Sequence, residues 1–210
     1  MSTKALSEQI RTVKGFSESK EKEKGSLFIG RCYYVSDIKE VNTILNQNKK
    51  EFYDATHHCY AFLLNNGEKK YSDDGEPGGT AGVRILNAIE HFELTDVLVI
   101  VIRYFGGTKL GVGPLGKAYY QSAFNAISTG EIITKSAYIF IKIFIDYQAV
   151  NNVYKILTDN NAKIIRSEET GEFFIPVYVK PSGIDDVKTK IINSTKGKAS
   201  FWVSETVEYL

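Results

Sequence analysis

The hydrophobic positions in the last third of the chain switch between strand-like and helix-like spacing. Residues 138–145 form an apolar, β-branched run typical of a strand, whereas Val150, Val153 and Leu157 recur at helical spacing. The predicted elements are a strand at 138–145, a helix at 148–158, strands at 162–168 and 172–179 around a turn at 169–171, a helix at 184–192 and a strand at 200–207. This β-α-β-β-α-β order predicts a ferredoxin-like arrangement.

The pattern before residue 135 is less regular. Asp37 followed by Glu40 is typical of a capping box at a helix start, and the nearly all-apolar run 96–105 favours a central strand covered on both sides. The predicted strands are 26–35, 57–65, 69–71 and 96–105. Three helices are predicted: the first ends near Lys50, the second buries Ile85, Ile89 and Phe92, and the third runs from Pro114 to Gly130. The alternating charges at 20–24 are expected to be a solvated approach to the first strand.

These elements predict an α+β protein of two domains. We place the boundary near Thr134, so that residues 1–134 form an N-terminal domain and residues 135–210 the ferredoxin-like domain.

Composition narrows the class of protein. The chain has 210 residues, is 43% hydrophobic and carries a net charge of +1, so it has no basic excess for non-specific nucleic-acid binding. Its two cysteines are too few for a disulfide framework, and no apolar run has the length of a signal peptide or a membrane span. We therefore expect a soluble cytoplasmic protein that neither enters membranes nor reads DNA sequence.

Two glycine-rich loops, at 72–82 and 103–116, each lie between a predicted strand and a predicted helix. The first N–H groups of a helix lack partners, and glycines let a ligand approach the backbone, so both loops are candidate anion sites. Arg103, Lys109 and Lys117 add positive charge to the second loop. The alternative is that both loops are structural connectors.

Three acids in the first loop, Asp73, Asp74 and Glu76, have three interpretations. They bind Mg²⁺ beside a phosphate, they cap the following helix and pair with Arg84 or Arg103, or they are solvated turn residues. No cofactor is expected, with Mg²⁺ kept as the alternative.

Two other motifs point to chemistry only weakly. Residues 111–117 fit the phosphate-loop spacing G-x-x-x-x-G-K, but Ala118 stands where Mg²⁺ coordination needs Ser or Thr. His57 and His58 are adjacent on a strand and so point to opposite faces, which disfavours a chelating pair. Cys59 is either a nucleophile with a histidine partner or, as we expect, a buried inert thiol.

Three stretches carry a family resemblance. Residues 54–61 (DATHHCYA), 71–82 (YSDDGEPGGTAG) and 103–111 (RYFGGTKLG) resemble the IMPACT family and its bacterial YigZ-type members. The resemblance implies an N-terminal domain similar to the second domain of ribosomal protein S5, and a ferredoxin-like C-terminal domain similar to one in elongation factor G. Eukaryotic relatives are linked to translational control, through an additional domain absent here.

The resemblance and the loops together predict a non-enzymatic binding protein in translation regulation, with the ribosome, RNA or a translation-regulatory protein as its partner. A Mg²⁺-dependent nucleotide- or phosphate-handling enzyme and a protein-interaction scaffold are the alternatives. The predicted anion or partner contacts are Arg103, Tyr104, Gly106, Gly107, Lys109, Gly111, Lys117, Gly78, Gly79 and Thr80. The predicted acidic wall is Asp73, Asp74 and Glu76, and the remaining family-motif residues are His57, His58 and Cys59.

Overall fold

The computed structural model describes residues 7–165 and 173–210. The protein is α+β, which confirms the predicted class. It divides into two compact units, one containing Ile10–Thr134 and the other containing Lys135–Leu210.

The first unit is built on an antiparallel sheet in the order β2-β3-β6-β4-β5. Its elements are β1 (Gln9–Val13), β2 (Phe16–Glu23), β3 (Ser26–Tyr34), α1 (Ile38–Glu51), β4 (His57–Leu63), β5 (Lys69–Ser72), α2 (Gly82–His91), β6 (Val97–Tyr104) and α3 (Val112–Ser128). Strand β6 lies at the centre, and its residues from Val97 to Arg103 are all buried, as its apolar run predicted.

Two hydrophobic layers sandwich this sheet because the strand residues alternate between its faces. Helices α2 and α3 pack on one face against residues such as Val99 and Val101. Helix α1 packs on the other face against Leu98 and Ile100. Side chains next to each other on β4 or β6 therefore belong to different layers.

The charged run at 20–24 is mostly exposed, as expected, but it is not an approach to the first strand. Residues up to Glu23 lie in β2, which pairs along its whole length with β3 at the sheet edge. Charge on both sides of the strand hides the two-residue period, and charged side chains are common on edge strands. Strand β1 was also missed, because its five residues are too short to show a clear period.

The second unit contains β7 (Ile132–Phe144), α4 (Val150–Asp159), β8 (Lys163–Ile164), β9 (Phe174–Val179), α5 (Ile184–Ser194) and β10 (Ser200–Tyr209). Strand β7 pairs antiparallel with β10 and with β9, and β9 pairs antiparallel with β8. This is the predicted β-α-β-β-α-β order; the predicted turn at 169–171 lies outside the described residues. Both helices pack on one face of the sheet, against side chains such as Ile141 and Val177.

Within the described ranges, no helix is long and apolar enough to cross a bilayer.

Candidate functional site

The two glycine-rich loops meet at a cavity of about 420 Å³ in the first unit, beside the start of α3. We call it the loop cleft. It is lined by Thr56, His57, Glu76, Pro77, Arg103, Phe105, Lys109, Leu110, Gly111, Val112 and Leu115. Residues of both loops thus line one cavity, which has a polar floor and largely apolar walls.

The first loop does not offer its backbone to an external anion. The Asp73 carboxylate accepts hydrogen bonds from the N–H groups of Gly79 (2.9 Å), Ala81 (2.9 Å) and Gly82 (2.7 Å). Burial alone would raise the pKa of Asp73, but these donors outweigh it and hold the pKa below its usual value. The anion bound at the start of α2 is therefore part of the protein itself.

Of the predicted contacts in this loop, Gly79 and Thr80 already have internal hydrogen-bond partners. Gly79 donates to Asp73, and the Thr80 N–H and hydroxyl both bond to the carbonyl of Pro77 (3.1 and 2.6 Å). Gly78 is exposed, at the tip of the loop. The interpretation of the acids as caps and ion-pair partners is the one that the structure supports.

Asp74 is the second acid with an internal role. Its carboxylate accepts from the backbone N–H of His58 at 2.6 Å, and its carbonyl accepts from His57 Nδ1 at 2.8 Å. The His57 ring lines the loop cleft, whereas His58 Nε2 bonds the carbonyl of Phe52 after α1. The two histidines thus lie on opposite faces, as their strand position predicted, and burial lowers the pKa of His58.

Glu76 and Arg103 form a buried ion pair on the floor of the loop cleft. Arg103 Nη1 donates to Glu76 Oε1 at 2.6 Å, and the two side chains are 5% and 4% exposed. Tyr119 donates its hydroxyl to the same oxygen at 2.7 Å, and His57 Nε2 lies 3.8 Å from it. Burial, followed by the nearby Cys59, raises the pKa of Tyr119 above its usual value.

Arg103, which we predicted as an anion or partner contact, is buried and already has partners inside the protein. Glu76 neutralises its charge, and Nη2 donates to Ser26 Oγ at 3.2 Å. Its Nε is buried and makes no hydrogen bond among the described residues. The guanidinium also lies 5.4 Å from the ring of Phe105, so it holds that aromatic wall in place.

The three acids of the first loop point to separate partners. Each carboxylate has a different internal partner, and no group of three or more His, Cys, Asp or Glu in residues 7–165 and 173–210 is arranged to hold a metal ion.

Cys59 is the buried thiol that we expected. It is fully buried and donates to the carbonyl of Asp73 at 3.0 Å. Burial raises its pKa to about 12, so the thiolate that a nucleophile needs is scarce at neutral pH.

Gly106 holds the second loop against the turn between β2 and β3. A Cβ atom on Gly106 would lie 1.9 Å from the carbonyl carbon of Gly25, so only glycine fits there. Its N–H donates to Ser26 Oγ at 3.1 Å, which corrects its predicted anion contact. Gly107, with φ of +84°, has open space around it.

Among the three helices of the first unit, α3 is the one whose start remains open, because Asp37 caps α1 and Asp73 fills the start of α2. The N-cap of α3 is Gly111, no side chain caps it, and its first turn contains no acid. The first N–H groups of a helix have no intrahelical acceptor, so they carry partial positive charge here. Lys109 lies beside this turn in the loop cleft, and Arg84 and Lys117 line a neighbouring cavity of about 420 Å³.

One predicted contact, Tyr104, lies on the other face of the sheet. Tyr104 follows Arg103 on β6 and so points to the α1 face, where its hydroxyl donates to Asp54 at 2.8 Å. The apparent phosphate-loop motif is not a loop, because α3 already begins at Val112 and includes Gly116 and Lys117. Gly116 instead lets the Arg84 side chain lie against the helix, 3.3 Å from where a Cβ would be.

Tyr119 and Phe105 are site residues that sequence reasoning missed. Tyr119 lies on the buried face of α3, and a tyrosine in a core position usually brings its hydroxyl to a buried acceptor. Phe105 is 45% exposed at the mouth of the cleft, and an apolar residue directly after a buried strand was the available signal.

Comparison with known proteins gives a consistent set of matches. Residues 24–127 match the family model described as the Impact N-terminal domain. The IMPACT family member YvyE of Bacillus subtilis is 30% identical over 192 residues, covering 90% of this chain and 88% of that protein. The IMPACT family member YigZ of Escherichia coli is 25% identical over 181 residues, covering 84% and 89%.

A crystal structure described as that of a hypothetical protein aligns with a TM-score of 0.70 at 24% identity. It covers 96% of this chain and 100% of the other. At this identity the likeness concerns the fold.

Proposed function

Because the chain belongs to the IMPACT family, we propose that it is a non-enzymatic cytoplasmic binding protein of translation regulation that contacts RNA phosphates on or near the ribosome. The surface around the first turn of α3 makes this contact. The resemblance to translation-linked relatives supports the process, and the geometry of α3 supports the ligand.

The single observation that carries the ligand is the contrast between the two helix starts. The start of α2 is occupied by Asp73, whereas the start of α3 has no side-chain cap and no acid in its first turn. Arg84, Lys109 and Lys117 surround that turn, and none of their side chains pairs with an acid among the described residues. Unpaired cations beside an open helix start favour a phosphate group.

The cavity on the other side of the same turn is less basic. It is lined by Glu21 and Glu23 as well as Lys22, Lys24 and Lys117. Its charges nearly cancel, so the phosphate path runs along the side of Arg84 and Lys109.

Co-sedimentation with ribosomes tests the proposal. The triple variant Arg84→Ala, Lys109→Ala, Lys117→Ala removes three cations from the α3 start. We expect the wild type to pellet with ribosomes and the variant to stay in the supernatant. With a labelled RNA, the slope of log affinity against log salt should fall by about one for each lost phosphate contact.

The matched control is Lys39→Ala, Lys49→Ala, Lys50→Ala, which makes the same charge change on α1, across the sheet. It should bind as the wild type does. If the wild type does not pellet above background, or if both triple variants lose binding equally, the α3 start is not the phosphate contact. Arg103 is unsuitable for this experiment, because its replacement disturbs a buried ion pair.

A further inference from the structure

The sheet of the second unit has one face that its helices leave open. Alternate residues of β7 and β9, such as Ile141, Ile143 and Val177, pack under α4 and α5. The residues between them point to the opposite face. We call it the aromatic face; it carries Tyr138, Phe140, Lys142, Phe144, Lys163, Phe174, Pro176, Tyr178, Ser200, Trp202 and Glu208.

Six of these residues are aromatic, and the rings lie near one another across the strands. The Phe140 ring centroid is 5.4 Å from that of Tyr178 and 6.1 Å from that of Trp202, and the Phe144 and Phe174 centroids are 5.7 Å apart. Trp202 is 51% exposed. Phe140, Phe144, Phe174 and Tyr178 are half-buried, and Tyr138 is buried. A cluster of large rings that is partly open to solvent is uncommon on a protein surface and points to a binding site.

Lysines are interleaved with the rings. Lys142 Nζ lies 4.9 Å from the Phe174 centroid and 5.5 Å from the Trp202 centroid, and Lys163 Nζ lies 4.4 Å from that of Tyr138. Glu208 is the one acid among the described residues of the face, and it accepts a hydrogen bond from the Tyr178 hydroxyl at 2.6 Å. The face therefore combines flat stacking surfaces with a small positive excess.

We propose that the aromatic face binds the unpaired bases of single-stranded RNA, an inference that rests on the proposed function and adds a second contact to it. Bases of any sequence can stack on aromatic side chains, and this open sheet face presents several rings side by side. The ammonium groups of Lys142 and Lys163 then lie within reach of the phosphates that join stacked bases.

The charge of the face argues for RNA over a second copy of the chain. Lysine is depleted in the cores of protein–protein interfaces, yet Lys142 stands between two rings in the middle of this face. A second copy would bury two such lysines together, whereas a nucleic acid supplies the opposite charge.

Trp202 is a built-in reporter, because it is the only tryptophan in the chain. We would titrate the full chain with a ten-nucleotide uridine oligomer, an abasic oligomer of the same length and an RNA duplex, and follow tryptophan emission. The uridine oligomer should quench the emission saturably. The abasic oligomer keeps the phosphates without the bases, and the duplex keeps its bases paired, so neither should do so.

Variants measured by anisotropy of labelled uridine oligomer provide the second readout. Phe140→Leu and Phe174→Leu keep apolar volume and remove a ring. Each should weaken binding about fivefold or more, because losing a base–aromatic stack costs about 1–3 kcal/mol and 1.4 kcal/mol is tenfold. The control is Tyr154→Leu, which removes an exposed ring from α4, on the other side of the sheet.

The outcomes separate this inference from the proposed function. Quenching retained in the Arg84, Lys109 and Lys117 triple variant, together with lost ribosome pelleting, supports both contacts as separate surfaces. If the protein pellets with ribosomes but the uridine oligomer does not quench its emission, the aromatic face is not an RNA site and the proposed function stands. If the oligomer quenches but the protein does not pellet, the proposed function fails and the aromatic face stands. Equal quenching by the abasic oligomer also overturns base binding by the aromatic face. So does emission that changes with protein concentration but not with RNA, which would mark the face as an interface between copies of the chain.

Discussion

Replacing Arg103 with methionine is the sharpest test of how the loop cleft is built. The substitution keeps apolar length and removes the charge that pairs with Glu76 at 2.6 Å, where the two side chains are 5% and 4% exposed. A carboxylate that loses its buried partner is desolvated without compensation, and such losses cost about 3–5 kcal/mol. Tyr119 still donates to Glu76, so we expect the lower half of that range.

The assay is calorimetric and chemical unfolding of the full chain at pH 7. At about 2–4 °C per kcal/mol, the unit that contains the pair should melt roughly 6–16 °C lower. Trp202 lies in the second unit, so its emission follows that unit, while calorimetry follows both. The control Arg11→Met removes an exposed pair with Glu93 and should cost less than about 1 kcal/mol.

A double variant tests the coupling itself. Glu76→Gln combined with Arg103→Met replaces both charges, so the pair should cost clearly less than the sum of the two single changes. The reasoning is refuted if Arg103→Met costs no more than the Arg11→Met control, or if the two single costs simply add.

Two further predictions concern the loops. Gly106→Ala places a Cβ 1.9 Å from the Gly25 backbone and should lower the free energy of unfolding in urea by more than about 2 kcal/mol. The control Gly113→Ala, in open space within α3, should be neutral or stabilising by up to about 1 kcal/mol, and equal costs for the two variants would contradict the close approach at Gly106. Asp73→Asn should destabilise the protein at pH 7, and the difference from wild type should shrink below about pH 4. The folded pKa of Asp73 lies below the unfolded value, so its contribution is complete above the unfolded pKa and is lost as the pH falls through the folded one. A difference that stays constant from pH 7 to pH 3 would show that Asp73 does not bind as a carboxylate.

Most elements of the fold follow from local pattern. The apolar run of β6 predicted a central strand, and the Asp37 cap was visible in the sequence. The Asp37 carboxylate accepts hydrogen bonds from the backbone N–H groups of Lys39 and Glu40 at 2.7 and 2.9 Å. Strand β2 was not predictable in this way, because its charged residues give no apolar period and its pairing with β3 alone makes it a strand.

The candidate site was also predictable only in its local features. Composition and spacing determined that two glycine-rich loops precede helices, that His57 and His58 point apart, and that acids and cations flank the loops. These are local properties, since they depend on backbone freedom and on the two-residue period of a strand.

Only the tertiary structure decided which charges remain available. Asp73 fills the start of α2 from eight residues away, and Glu76 neutralises Arg103 across 27 positions of sequence. Both pairings depend on how β4, β6 and the helices pack, which no local pattern contains. The physical reason is that a charge becomes a ligand or a structural partner according to its burial and its nearest opposite charge, and both quantities exist only in the folded chain.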